Sequence, residues 1–151
     1  MAKLINLYAR EIIDSRANPT VEVVAVLDDG STGVASVPSG SSTGSYEAKE
    51  LRDLDTNRHL GMGVLKAVGN INSEIAAKLV GQPVESVATL DKQLIDLDGT
   101  PTKSRLGANA ILGVSMSVTK ALAASAKQQL FRYVASISNL TETLFVPRPV
   151  F

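Results

Sequence analysis

The residues best suited to chemistry lie in one stretch, Val37-Pro-Ser-Gly-Ser-Ser-Thr-Gly-Ser-Tyr-Glu47, which follows a candidate strand. Ser39, Ser41, Ser42 and Thr43 offer oxygens, while Gly40 and Gly44 give the backbone access to dihedrals closed to other residues. Such a loop can wrap an anion with its amides or present a neutral oxygen to a hard cation such as Mg²⁺. A solvated serine-rich connection has the same composition, so the flanking residues must decide. Before it stands Arg10-Glu-Ile-Ile-Asp-Ser-Arg-Ala-Asn-Pro-Thr20, and after it Glu50-Leu-Arg-Asp53.

The elements that must hold this loop are strands first and helices afterwards. Residues 4–13 mix β-branched and polar types with only partial alternation. Residues 20–27 place Val21, Val23, Ala25 and Leu27 on one face. Asp29-Gly30 supplies a turn, and residues 33–37 a third short strand ended by Pro38. A short helical turn is expected over 47–54, with Glu47, Glu50 and Asp53 paired to Lys49 and Arg52 on a solvated face. From Val64, the positions Val68, Ile71, Ile75 and Leu79 follow helical spacing until Gly81 and Pro83. Ser86 is a good N-cap for a second helix through Leu97, closed by Asp98-Gly-Thr-Pro101. A third helix over 105–126 is apolar or small on nearly every face and is expected at the domain's centre. A short surface helix is expected near 129–138. This order predicts an α+β fold: a three-stranded antiparallel meander followed by helices packed on the sheet.

With 151 residues, 44% of them hydrophobic and 20% charged, the chain can bury one substantial core. Fifteen basic residues balance fifteen acidic ones, which gives no bulk attraction to nucleic acid or anionic membrane. Absence of cysteine removes thiolate nucleophiles and Cys-type zinc sites. No apolar run is long enough for a signal peptide or a bilayer span, so a cytoplasmic protein is expected. His59 has no second ligand near it, and a packing role is expected for it. Asp14 and Arg16 are expected to brace each other across the first turn.

The chain resembles the enolase family. Glu11-Ile-Ile-Asp-Ser-Arg-Ala-Asn-Pro-Thr-Val-Glu22, residues 37–52, Gly61-Met-Gly-Val64, Asp96-Leu-Asp-Gly-Thr100 and Leu106-Gly-Ala-Asn-Ala-Ile-Leu-Gly113 fall in the family's order and spacing. The resemblance implies an amino-terminal domain over residues 1–140. Residues 141–151 would open the linker and first strand of a catalytic barrel, making the chain the front part of a longer or truncated protein. Enolases interconvert 2-phosphoglycerate and phosphoenolpyruvate in glycolysis, with two Mg²⁺ ions per active site. The lysine base, leaving-group glutamate and acidic metal ligands belong to the barrel, so no catalytic residue is expected in this chain and the isolated chain is expected to be inactive. The resemblance makes residues Ser39, Gly40, Ser41, Ser42, Thr43 and Gly44 a lid loop. By motif position Ser42 binds the second Mg²⁺, and Arg10 and Glu22 form salt bridges to the barrel of a partner subunit in a dimer.

Four positions depart from the family pattern: Ala17 for a glycine, Ser41 for an alanine, Met62 for a lysine and Arg148 for a valine. If residue 17 needs positive φ, alanine costs about 1 kcal/mol there. These departures suit a divergent copy. The competing reading is a stand-alone interaction module that kept the lid domain and lost the barrel. A small phosphate-binding protein using residues 39–44 as a nest is weaker, because the Gly-Lys-Ser/Thr of a P-loop is missing.

Overall fold

The computed structural model describes residues 2–40, 44 and 47–140. Ser41, Ser42, Thr43 and residues 141–151 therefore lie outside the described residues, as do Ser45 and Tyr46. Strands β1 (Leu4–Ile13), β2 (Pro19–Leu27) and β3 (Thr32–Ser36) form an antiparallel sheet in the order β1-β2-β3. Strand β2 is central, and Val21, Val23, Ala25 and Leu27 are fully buried on one face, as the alternation implies. The weaker alternation of β1 has a local cause. Its register against β2 slips by one residue between Leu4 and Asn6, a bulge that turns both Leu4 and Leu7 inward despite their odd spacing.

The turn from β1 to β2 is built by Asp14, whose Oδ1 accepts from the N–H groups of Arg16 (2.8 Å) and Asn18 (2.9 Å). The expected Asp14–Arg16 brace is thus backbone-mediated. The Arg16 guanidinium turns instead to the carbonyl of Ser39. Ala17 sits at φ +61°, in the left-handed region where a Cβ crowds the following carbonyl. Ala17→Gly should stabilise the fold by about 0.5–1 kcal/mol, net of the extra chain entropy of glycine. Urea titration checks it: a raised midpoint with unchanged slope is expected.

The segment expected as one α-helix from Val64 is α1 (Leu65–Asn70), a π turn (Ile71–Ile75) and α2 (Ala76–Leu79) in continuous succession. Ala67, Ile71, Ile75 and Leu79 are buried at strict intervals of four. In an ideal α-helix each such step advances about 40°, so the stripe would rotate away from the sheet. The wider π turn cancels part of that drift. It also carries Asn72 to the free edge of β1, where the amide accepts from Ala9 N–H (2.7 Å) and donates to Ala9 C=O (3.0 Å). An edge peptide is thereby paired without another strand.

Helix α3 (Val87–Asp98) starts as expected, with Ser86 Oγ accepting from Thr89 N–H at 3.0 Å, and ends on Gly99 at φ +70°. Helix α4 (Ala108–Ser125) begins three residues later than expected. Gly107 at φ +99° breaks the helical path, and Leu106 is buried as a plug whose N–H donates to Asp98 Oδ2 at 2.7 Å. Ten of the eighteen α4 residues are buried, which places it at the centre of the core. It lies across β2 and β3 at close range: a Cβ on Gly33 would fall 2.0 Å from the Ser117 carbonyl oxygen. Helix α5 (Leu130–Ile137) closes the described chain. It leaves Leu130, Phe131, Val134 and Ile137 exposed, each by 40% or more. Among the described residues no helix is long and apolar enough to cross a membrane.

Buried Asp98 and half-buried Glu11 make stability depend on acid pH. Burial alone would raise the Asp98 carboxyl. The Thr100 hydroxyl, the N–H groups of Leu106 and Thr100, and the nearby Arg105 charge outweigh it and hold it below 3.8. Glu11 is held below 4.5 chiefly by the Arg58 guanidinium; burial opposes, while Val64 N–H and the Arg58 and His59 charges assist. Both folded-state values lie below the unfolded ones. The stabilisation is therefore complete above the unfolded values and is lost as pH falls through the folded ones. The melting temperature should drop as pH is lowered from about 5 to about 3. Asp98→Asn should flatten that acid limb while lowering the melting temperature at neutral pH.

Candidate functional site at the base of the serine loop

The loop leaves the sheet from a fixed point. Val37 N–H donates to Val21 C=O at 2.8 Å, and the buried Thr20 hydroxyl donates to Val37 C=O at 2.6 Å. The returning limb is not the helical turn expected over 47–54. These residues are irregular, and Gly44 and Glu47 before them share a local bond pair, Glu47 N–H to Gly44 C=O and Gly44 N–H to Glu47 Oε2. Tertiary bonds override the local helix-forming composition. Lys49 N–H donates to Thr102 C=O (2.9 Å), and Ala108 N–H donates to Lys49 C=O (2.8 Å). Asn109 then takes both polar groups of Leu51: its Oδ1 accepts from the N–H at 3.0 Å and its Nδ2 donates to the C=O at 3.1 Å. Gly107 is confined by the same contact, since a Cβ there would lie 2.6 Å from Leu51 Cβ.

Of the charges on this limb, Glu47 and Lys49 are exposed as expected, whereas Glu50, Arg52 and Asp53 are drawn into bonds. Asp53 caps α1, accepting from Leu65 N–H (2.9 Å) and Lys66 N–H (2.8 Å), a favourable place for an anion. Arg52 is 11% exposed at its side chain and ties the two limbs together. Its Nη2 donates to Ser39 Oγ at 2.8 Å and to Glu50 Oε2 at 2.7 Å. Ser39 Oγ in turn lies 3.3 Å from Glu50 Oε2. A cleft opens between the limbs and the start of α4, lined by Pro38, Gly40, Lys49, Glu50, Ala108 and Leu112 among others.

Of the sequence-derived loop residues, Ser39, Gly40 and Gly44 therefore stand at this cleft, while Ser41, Ser42 and Thr43 lie outside the described residues. Among the described residues no three His, Asp or Glu side chains gather closely enough to hold a metal ion. The carboxylates nearest the loop are engaged, Glu50 by Arg52 and Glu47 by Gly44 N–H. The described residues do not form a cation site by themselves.

Arg10 and Glu22 face each other across β1 and β2, with Arg10 Nε donating to Glu22 Oε1 at 2.8 Å and Ser36 Oγ adding a bond at 2.9 Å. The Arg10 hydrogen bond, then that of Ser36, holds the Glu22 carboxyl below its usual value against the opposing effect of burial. This pair lies beside a row of Tyr8, Val24 and Val34 on the sheet face turned away from the helices; Tyr8 and Val34 are exposed. His59 Nε2 stands 3.6 Å from Glu11 Oε1 next to Arg58, and the residue is exposed.

The family model for the enolase N-terminal domain matches residues 4–134. The chain belongs to that family. The matched span takes in all three strands, both limbs of the loop and the central helix α4. In this enolase domain, Asn109, Arg52 and Asn72 bond groups from distant segments, which spacing alone does not disclose. One signal was present for Asn109: a lone amide inside the apolar run from Leu106 to Leu112 needs a partner when buried.

Proposed function

We propose that this chain serves as the loop-bearing domain of an enolase that interconverts 2-phosphoglycerate and phosphoenolpyruvate in the cytoplasm. The single observation that carries the proposal is the double anchorage of the loop, on the sheet through Val37 and on α4 through the bonds of Leu51 to Asn109. Anchors at both ends restrict where the intervening hydroxyls can go, which suits a segment that must meet a substrate at a set place. In this reading residues 39–44 form the lid, and Ser42 adds one neutral oxygen to a Mg²⁺ ion held otherwise by further polypeptide. Mg²⁺ stabilises developing negative charge on the substrate when bound. The carboxylates beside the loop, Glu47 and Glu50, are tied up in structural bonds, so in this reading the proton-transfer groups come from further polypeptide. The protein then acts as a homo-oligomer, with Arg10 and Glu22 on the sheet face that meets a partner subunit. The exposed Tyr8 and Val34 beside them suit such an interface.

The test is an assay of two proteins: the 151-residue chain, and the full product of its reading frame. The full product should dehydrate 2-phosphoglycerate in the presence of Mg²⁺, and the short chain should not. Activity in the short chain, or none in a longer folded product, contradicts the proposal. The alternative is a stand-alone interaction module, and the exposed apolar row on α5 favours it. A native frame that closes at codon 151 would select that alternative.

A further inference from the structure

Arg52 makes a bond with every N–H it has. A guanidinium carries five, one on Nε and two on each terminal nitrogen. Nε donates to Glu50 Oε2 at 3.2 Å. Nη1 donates to the carbonyls of Pro19 and Met62, both at 2.7 Å. Nη2 donates to Ser39 Oγ and Glu50 Oε2. Four segments converge on this one side chain: the start of β2, the outgoing limb at Ser39, the returning limb at Glu50, and the turn at Met62 that precedes α1. Ser39 is held from its other side as well, because its carbonyl accepts from Arg16. A lysine at position 52 has three donors on one nitrogen and cannot span these directions.

We propose that Arg52 is a positioning residue for the enolase reaction: its planar fork sets the spacing between Ser39 and Glu50, and so fixes where both limbs of the loop stand. The inference rests on the functional reading above. It goes beyond that reading by assigning the control of loop placement to a side chain outside the loop. The effect belongs on turnover more than on binding, since misplacing a group by about 1 Å can slow a reaction as much as 10²-fold while the substrate still binds.

The experiment uses Arg52→Lys and Ser39→Ala in the complete protein. Arg52→Lys should lower kcat by about 10- to 100-fold and change KM less than about threefold. Ser39→Ala should lower kcat less, and in the Arg52→Lys background it should add less than about twofold, because the shared bond is already gone. Multiplicative effects of the two changes, or unchanged kcat in folded Arg52→Lys protein, would overturn the proposal. Residue-resolved amide exchange is the second readout. In Arg52→Lys the amides of Val37, Leu51 and Asp53 should exchange about tenfold faster or more, while those in the middle of α4 keep their protection. Equal exchange in both proteins would overturn the proposal. Should wild-type protein fail to convert 2-phosphoglycerate, the functional reading fails, and the amide exchange still decides what Arg52 holds.

Discussion

Gly33→Ala is expected to lower stability by about 3 kcal/mol or more, and by far the most for so small a change in the sheet. The added methyl would sit 2.0 Å from the carbonyl oxygen of Ser117, 2.5 Å from the amide nitrogen of Ala121 and 3.0 Å from Lys120 Cβ. The two closest atoms are helix backbone, so no rotamer change relieves the clash. Either α4 lifts off the sheet or β3 peels from β2. Lifting α4 opens the contact between Gly113 and the side chains of Val23 and Val37, which is the middle of the core. Since domains of this kind are stable by about 5–15 kcal/mol, roughly a fifth to three-fifths of the total goes with a loss of about 3 kcal/mol. Gly69→Ala is the control. It lies in α1 with nothing within 4 Å of the added Cβ, and should stabilise by up to about 1 kcal/mol. Thermal denaturation of the two variants beside wild type checks the contrast. A Gly33→Ala protein melting with wild type would show that α4 and β3 do not meet as described.

Asn109→Leu should cost about 2–4 kcal/mol, although leucine has nearly the same size and is better suited to an apolar site. The loss falls on Leu51, whose N–H and C=O keep no partner once the amide is gone. Each unsatisfied group adds its own desolvation penalty. The consequence is also local. Residues 49–53 should open on their own, so their amides should exchange faster than the global unfolding rate allows. Uniform protection along this limb in the variant would mean that Lys49 and Asp53 hold it without Asn109.

The strands, their turns and the start of α3 were legible because Val21, Val23, Ala25 and Leu27 recur at every second position, because burial alternates strictly in β3, and because Asp29-Gly30 and Ser86 carry chemistry that works locally. At Ala17 the resemblance, which has a glycine there, raised the question of a positive φ, and the angle is +61°. What stayed hidden depends on partners far away in sequence. The returning limb has helix-forming residues, yet Thr102, Ala108 and Asn109 pull it straight. No pattern within 47–54 announces that. Arg52 and Asp53 read as surface charges because their acceptors and donors, Pro19, Ser39, Met62, Leu65 and Lys66, come from other parts of the chain. The π turn is hidden for a different reason. A strict four-residue interval fits an α-helix over two turns and fails only when the stripe must stay on a flat sheet. The loop itself was the clearest signal in the sequence, and its central serines fall outside the described residues.

The most direct measurement is the turnover of 2-phosphoglycerate by the complete protein with Ser42→Ala and, separately, Ser41→Ala. The two serines are adjacent and chemically alike, so a nonspecific effect on the loop would strike both. Loss of about 100-fold in kcat for Ser42→Ala, with Ser41→Ala within about threefold of wild type, is the expected result. Equal behaviour of the two variants, or full turnover without the Ser42 hydroxyl, would contradict the assignment of this domain's loop to the reaction.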